Sequence, residues 1–138
     1  IRENGVPVKP GLRELLAWLK QAHILCAVAT STFTNVAIGY LKNAGVLNCF
    51  AAIVGGDQVS RSKPDPEIFQ LAMRALGKQT PETCLVFEDS RNGLLAGANG
   101  GFPVIVVPDL FDPTLELPGL CYAKCARLDE AIDVIQNS

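Results

Sequence analysis

The chain has 138 residues and a net charge of −2 at pH 7, from 12 Lys+Arg against 14 Asp+Glu. Hydrophobic residues make up 49% and charged residues 19%, which excludes a disordered segment and predicts one core-forming domain over residues 1–138. No block of like charge exists, so the electrostatic footprint of a nucleic-acid binder or a polybasic membrane anchor is absent. The longest apolar runs, such as Ile24–Ala29 and Val104–Val107, are too short to span a bilayer. No charged-then-apolar signal segment is visible, so a soluble cytoplasmic protein is the expectation. The opening IRENGVPVKPG reads as a link into a helix, and the chain is expected to be the C-terminal part of something longer. The five cysteines, Cys26, Cys49, Cys84, Cys121 and Cys125, form no CxxC pair and no Cys/His cluster that could hold zinc. They read as buried or incidental thiols in a reducing compartment.

Pro10-Gly11 opens a predicted helix whose Leu12, Leu15, Leu16 and Leu19 fall at i, i+3, i+4 and i+7. Ile24–Ala29 is continuous and apolar, as a strand buried on both faces should be. Phe33, Ala37, Tyr40, Leu41 and Ala44 make a second helical stripe, stopped near Gly45. Phe50–Val54 is the next strand, closed by Gly55-Gly56. Asp65-Pro66 has the form of an N-cap followed by proline at the first helical position. Ile68, Ala72, Ala75 and Leu76 then line one face, with Gly77 at the C-terminal stop. Cys84–Phe87 is a third strand, followed by a helix carrying Leu94, Leu95 and Ala98 that ends at Gly100-Gly101. Pro103–Val107 is a fourth strand, Cys121–Ala123 a short edge strand, and Leu128–Ile135 a closing helix.

This alternation predicts an α/β fold, a Rossmann-like three-layer core with a mainly parallel sheet. Parallel strands joined by right-handed crossovers bring their C-terminal ends to one edge, where such folds bind ligands. Thr30-Ser31-Thr32 follows the first strand, and its hydroxyls and amides could cradle phosphate or simply cap a helix. Lys63, held by Pro64 in the loop after the second strand, could deliver a fixed positive charge to a phosphate, or be a solvated loop lysine. Glu88-Asp89 ends the third strand. Adjacent carboxylates there call for a compensating cation, and Mg²⁺, with its taste for oxygen ligands, is the expected one; alternatively Asp89 or Ser90 only caps the next helix. Asp57 and Asp109 read as loop-capping acids, Arg61 as an exposed surface charge, and His23, the single histidine, as structural. A hydroxyl nest, a lysine and an acidic pair on successive strand ends imply phosphoryl transfer, where catalysis is mostly positioning and charge stabilisation.

These segments resemble the haloacid dehalogenase-like hydrolase superfamily, and in particular its β-phosphoglucomutase-like subgroup, over nearly the whole chain. Val28-Ala29-Thr30-Ser31 is similar to the family's second motif, Ser62–Phe69 (SKPDPEIF) to the third and Val86–Gly93 (VFEDSRNG) to the fourth. Val107-Pro108-Asp109-Leu110 is also of a kind frequent there. Gly97 and Asn99-Gly100-Gly101 depart from the family's usual alanine-rich turn. The resemblance implies phosphoryl transfer through an aspartyl-phosphate with Mg²⁺, on a small phosphorylated metabolite such as a sugar phosphate. By that carry-over Thr30 and Ser31, with Thr32 beside them, bind the phosphoryl group, Lys63 stabilises it, and Asp89 with Glu88 binds the metal. The family's first motif, an Asp-x-Asp on the central strand, has no match in the 138 residues, and neither has the helical cap. The core is therefore expected to be incomplete. The resemblance places the missing strand between those ending at Thr30 and Glu88, so Ile24–Ala29 and Cys84–Phe87 are expected either to be bridged by an N-terminal piece or a second chain or to have closed up on each other, and the fragment alone is expected to be inactive. A noncatalytic phosphate-binding or regulatory module on the same fold is the alternative. A two-component receiver domain fits less well, because it would carry its acidic pair on the first strand.

Overall fold

The computed structural model describes residues 9–108 and 112–137, together with the backbone of residues 2–3 and 6–7. In chain order the elements are β1 (Arg2–Glu3), β2 (Val6–Pro7), α1 (Leu12–Gln21), β3 (Ala27–Ala29), α2 (Thr34–Asn43) and β4 (Ala52–Val54). There follow α3 (Glu67–Ala75), β5 (Val86–Glu88), α4 (Arg91–Asn99), β6 (Val104–Val106), β7 (Ala123–Lys124) and α5 (Ala131–Gln136), with single 3-10 turns between several of them. β1 and β2 form a small antiparallel ribbon. The other strands are parallel, in two pieces: β3 beside β4, and β5-β6-β7 in that order. The α/β class and the parallel strands agree with the expectation from sequence.

Strand alternation builds three layers. Val86, Val104 and Val106 face α3 and α4, meeting Ile68, Phe69, Ala72, Met73, Leu94 and Ala96. Ile105 and Val107 face the other way, onto Leu15 and Leu19 of α1 and Ala131 of α5. β6 is the most deeply buried strand, with all three residues inaccessible or nearly so. Gly97 lets α4 approach β6 closely, since a Cβ there would overlap a methyl of Val104.

Four helices end by one mechanism. Beyond α1, α2, α3 and α4 the chain turns left-handed at His23 (φ 59), Gly45 (φ 76), Gly77 (φ 77) and Gly101 (φ 81). The next residue's N–H reaches back five positions: Ile24 to the Leu19 carbonyl, Val46 to Leu41, Lys78 to Met73 and Phe102 to Gly97. This is the structural role of His23.

Several sequence expectations need correction. Ile24–Ala29 is not a six-residue strand buried on both faces: only Ala27–Ala29 pairs, Ile24 is 41% exposed and Leu25 59%. The α2 stripe turns inward only in part. Ala37 and Ala44 are buried, but Phe33 is 67% exposed and Tyr40 is exposed. On α3 the buried face is Ile68, Phe69, Ala72 and Met73, while Ala75 faces solvent. The edge strand lies at Ala123–Lys124, one pleat later than Cys121–Ala123.

The break in the sheet has a location. Among the described residues β3 pairs only with β4, and β5 only with β6, so the inner edges of β3 and β5 face each other without bonding. Between them runs a largely apolar slot of about 900 Å³, walled by Ala27 and Ala29 on one side and Leu85–Phe87 on the other. It is floored by Leu15 and Leu19 of α1 and roofed by Phe69 and Met73 of α3. The gap has not closed by pairing of β3 with β5, one of the two outcomes expected from sequence.

Candidate active site

The C-terminal ends of β3 and β5 open on one pocket of about 630 Å³, lined by Thr30, Ser31, Lys63, Glu88, Asp89, Ser90, Arg91 and Asn92. Thr30, Ser31, Lys63, Glu88 and Asp89, singled out from the sequence, are thereby brought together. Thr32 does not line the pocket: its N–H donates to Thr30 Oγ1 (3.2 Å), and its carbonyl accepts from the Gly56 N–H (2.9 Å). Asp109 lies outside the described residues. Asp57 caps α2, His23 is exposed, and Arg61 is an exposed side chain loosely paired with Asp65 at 3.9 Å.

Thr30 caps β3, and its N–H donates to the Val54 carbonyl across the β3–β4 pair (3.0 Å). Because Thr30 Oγ1 accepts from Thr32, its own hydroxyl proton remains available to a ligand oxygen in the pocket.

Lys63 is fixed by its neighbours. Nζ lies 2.6 Å from Glu88 Oε2 and 3.5 Å from the Ala29 carbonyl, and it sits 5.0 Å from the centre of the Phe69 ring. The Lys63 and Glu88 side chains are only 13% and 10% exposed, so this is an ion pair in a poorly solvated place. Its loop is tied down by Glu67, whose carboxylate accepts from the N–H groups of Ser60 and Arg61, while Asp65 Oδ1 accepts from Glu67 N. The cap of α3 falls at Pro66, one residue later than the sequence reading of Asp65 as cap and Pro66 as first helical residue, and Asp65 braces the helix start from outside it. Asn99, one of the departures from the family pattern, donates to the Pro64 carbonyl (3.2 Å) and braces the same loop from α4.

The acidic pair divides. Glu88 folds back over the first turn of α4, where a Cβ on Gly93 would overlap its carboxylate, and its Oε1 accepts from Ser90 Oγ (3.3 Å). Asp89 points to the more open side, 42% exposed, with Lys9 Nζ at 3.4 Å. The cap of α4 is Ser90, whose Oγ accepts from the Gly93 N–H (3.0 Å); Asp89 is left free of that duty. Among the described residues no three His, Cys, Asp or Glu side chains form a metal-holding group. Asp89, a hard-oxygen donor on the open side of a polar pocket, suits Mg²⁺, which is held by one or two carboxylates and keeps water and phosphate oxygens. Glu88, read from the sequence as its partner on the metal, is instead committed to Lys63, and a single carboxylate does not suit a zinc cage.

Sequence reasoning missed Lys9, Arg91 and Asn92. The signal was topological: α1 runs antiparallel to β3, so its start lies at the same edge as the strand ends, and α4 begins there directly after β5.

Comparison with known proteins decides the family. The sequence profile of haloacid dehalogenase-like hydrolases matches residues 2–101. The chain belongs to that family. It is 41% identical over 92 residues to a phosphorylated carbohydrates phosphatase of Thermotoga maritima, covering 67% of this chain and 42% of that protein. A candidate β-phosphoglucomutase from the same organism superposes with a TM-score of 0.82 at 35% identity, over 93% of this chain and 59% of that one. CbbY of Rhodobacter sphaeroides, solved with xylulose-1,5-bisphosphate, superposes with a TM-score of 0.79 at 34% identity, over 88% of this chain and 55% of that one. This family member therefore spans about half the length of these relatives. Among its described residues no helix is long and apolar enough to cross a membrane.

Proposed function

We propose that the protein to which these residues belong is a Mg²⁺-dependent phosphatase or phosphomutase acting on small phosphorylated metabolites, sugar phosphates foremost. The observation that carries this reading is the confluence of Thr30, Ser31, Lys63, Glu88 and Asp89 on one pocket at the sheet edge. The names of the relatives, a carbohydrate-phosphate phosphatase and a protein crystallised with a sugar bisphosphate, favour the substrate class.

In this reading the Thr30 hydroxyl and the Ser31 backbone hold phosphoryl oxygens, with Thr32 fixing the Thr30 hydroxyl rather than touching the ligand. Lys63 supplies positive charge where negative charge gathers on the transferring group. Asp89 holds Mg²⁺, with Glu88 behind it as the counter-ion of Lys63, and the metal neutralises phosphate charge when bound. The slot between β3 and β5 receives a parallel strand from polypeptide outside these residues. A strand there would pair with both inner edges and end beside Thr30 and Glu88. An aspartate at its end is the nucleophile and the second aspartate of an Asp-x-Asp pair the general acid/base. The first carboxylate bonds to phosphorus as the P–O bond to the substrate breaks, and the leaving oxygen takes a proton from the second. Water, giving a proton back to the second, then attacks phosphorus, frees phosphate and restores the first carboxylate. The 138 residues alone, lacking that carboxylate, are inactive.

Phosphate release by the full-length protein from a panel of sugar phosphates, with and without EDTA, tests this. Turnover of at least one member, lost with EDTA and restored by Mg²⁺, is expected. A folded protein that binds phosphate but turns over none of them would instead be a noncatalytic phosphate-binding module.

A further inference from the structure

The turn that carries Thr30 and Ser31 is not held by its own strand alone. It is clamped from the side by Val54 at the end of β4 and by Gly56, Asp57 and Gln58 in the loop after it. The Thr30 N–H donates to the Val54 carbonyl (3.0 Å), and the Gly56 N–H donates to the Thr32 carbonyl (2.9 Å). Asp57 Oδ1 accepts from both the N–H and the hydroxyl of Thr34, each at 2.7 Å. Gln58 Nε2 donates to Thr34 Oγ1 (2.8 Å) and to the Ile53 carbonyl (3.2 Å). The two loops are also in van der Waals contact: a Cβ on Gly56 would overlap the Ser31 carbonyl, and one on Gly55 would overlap Thr34. Only a Gly-Gly pair permits so close an approach.

The chemistry at Thr34 is complete in both directions. Its hydroxyl donates to a carboxylate and accepts from an amide, so it has one preferred orientation. The start of α2 has no capping side chain of its own, since Phe33 stands at that position. Asp57, on another loop, takes that place and brings negative charge to the helix's N-terminal end. A local Ser or Asp would have capped α2 without tying it to β4. The cap from a distant loop couples the pocket turn to the strand next to it.

We propose that Asp57 is a positioning residue for the phosphoryl pocket: by holding Thr34 it fixes the Thr30–Thr34 turn and so keeps Thr30 and Ser31 at the pocket wall. This rests on the phosphoryl-transfer reading above. Asp57 itself does not line the pocket, so its removal acts through geometry and not through lost contact with the ligand. The two hydrogen bonds from Thr34, the hydroxyl first and the N–H second, hold the Asp57 carboxyl below the usual carboxylate range.

The experiment uses the full-length protein, p-nitrophenyl phosphate as substrate and inorganic phosphate as competitive inhibitor. Asp57→Ala should raise the phosphate inhibition constant and KM roughly tenfold, as expected when a site is loosened rather than stripped of a contact. Asp57→Asn, which keeps an acceptor oxygen in the same place, should recover most of that loss. Asp112→Ala is the control, because Asp112 makes the same pair of bonds to Thr114 far along the chain. It should lower Tm yet leave phosphate inhibition within about twofold of the wild type, because neither Asp112 nor Thr114 lines the pocket or touches the Thr30–Thr34 turn. An inhibition constant for Asp57→Ala within about twofold of wild type, or an equal shift in Asp112→Ala, would overturn the proposal. If Asp57→Ala does not fold, Thr34→Val removes the hydroxyl bonds alone and should shift phosphate inhibition in the same sense; no shift counts against the proposal. A wild-type protein that phosphate does not inhibit overturns the phosphoryl reading and, with it, this one.

Discussion

Lys63 and Glu88 show how much the surroundings decide what a charge is worth. Their 2.6 Å contact is among side chains only 13% and 10% exposed, so Lys63→Met would leave a poorly solvated carboxylate without its partner. That should destabilise the fold by about 1–3 kcal/mol, read by urea unfolding, and Lys63→Met/Glu88→Gln should regain part of it. Arg91 and Glu116 lie 3.4 Å apart with both side chains 52% exposed, and Arg91→Ala should cost no more than about 0.5 kcal/mol. Asp112 gives a pH signature. Its hydrogen bond to the Lys124 ammonium, and next that to the Thr114 hydroxyl, lower its pKa to about 2. The same bond raises that of Lys124. A depressed carboxyl pKa stabilises the fold above its unfolded value and the contribution is lost as pH falls through the folded one; a raised ammonium pKa contributes below its unfolded value and is lost as pH rises through the folded one. The Tm deficit of Asp112→Asn should therefore be full between about pH 5 and 9 and vanish towards about pH 2.

The helix ends are where sequence and structure speak the same language. Gly45 and Gly77 mark stops because only they tolerate positive φ without cost, and both were legible as such. His23 occupies the same left-handed position with a Cβ in place. His23→Gly should therefore stabilise the protein by about 0.5–1 kcal/mol, and Gly45→Ala destabilise it by about 1 kcal/mol, both measurable as shifts in Tm. The strands were legible as apolar runs, but not their lengths. Ile24 and Leu25 belong to the run and still lie outside the paired segment, because pairing partners and not hydrophobicity set where a strand begins. Likewise Phe33 and Tyr40 have helical spacing yet face out, since period alone does not say how much of a face is covered. At the site, Thr30, Ser31, Lys63, Glu88 and Asp89 were readable from their positions after strands. The pairing of Lys63 with Glu88 was not, because it depends on how far each side chain folds back. Gly93 shows the reason: Glu88 has room to lie over α4 because no side chain stands there. Gly93→Ala should displace that carboxylate and lower kcat of the full-length enzyme roughly tenfold or more, a consequence of misplacing Lys63.

At the scale of the molecule the parallel strands of the described residues form two pieces, with apolar side chains lining the slot and strand edges on its walls that bond to no other described strand. Buried peptide groups without partners are costly, so the inner edges of β3 and β5 should be its weakest part. In the isolated 138-residue chain, amides of Ala27–Ala29 and Val86–Glu88 directed into the slot should exchange with solvent far faster than those of β6. In the full-length protein they should become as protected as β6, if a strand occupies the slot. The site itself sits at the mouth of that slot, so in the proposed function a strand in the slot would complete both the fold and the phosphoryl pocket. The decisive measurement is the steady-state hydrolysis of p-nitrophenyl phosphate by the full-length protein, as wild type, Lys63→Ala and Asp89→Asn, across a Mg²⁺ titration. Removing a fixed charge from a water-poor site costs about 10²-fold, so Lys63→Ala should lose about that much in kcat at saturating Mg²⁺, and Asp89→Asn should need much more Mg²⁺ for whatever activity remains. Wild-type kinetics in both variants would contradict the assignment of this pocket to phosphoryl transfer.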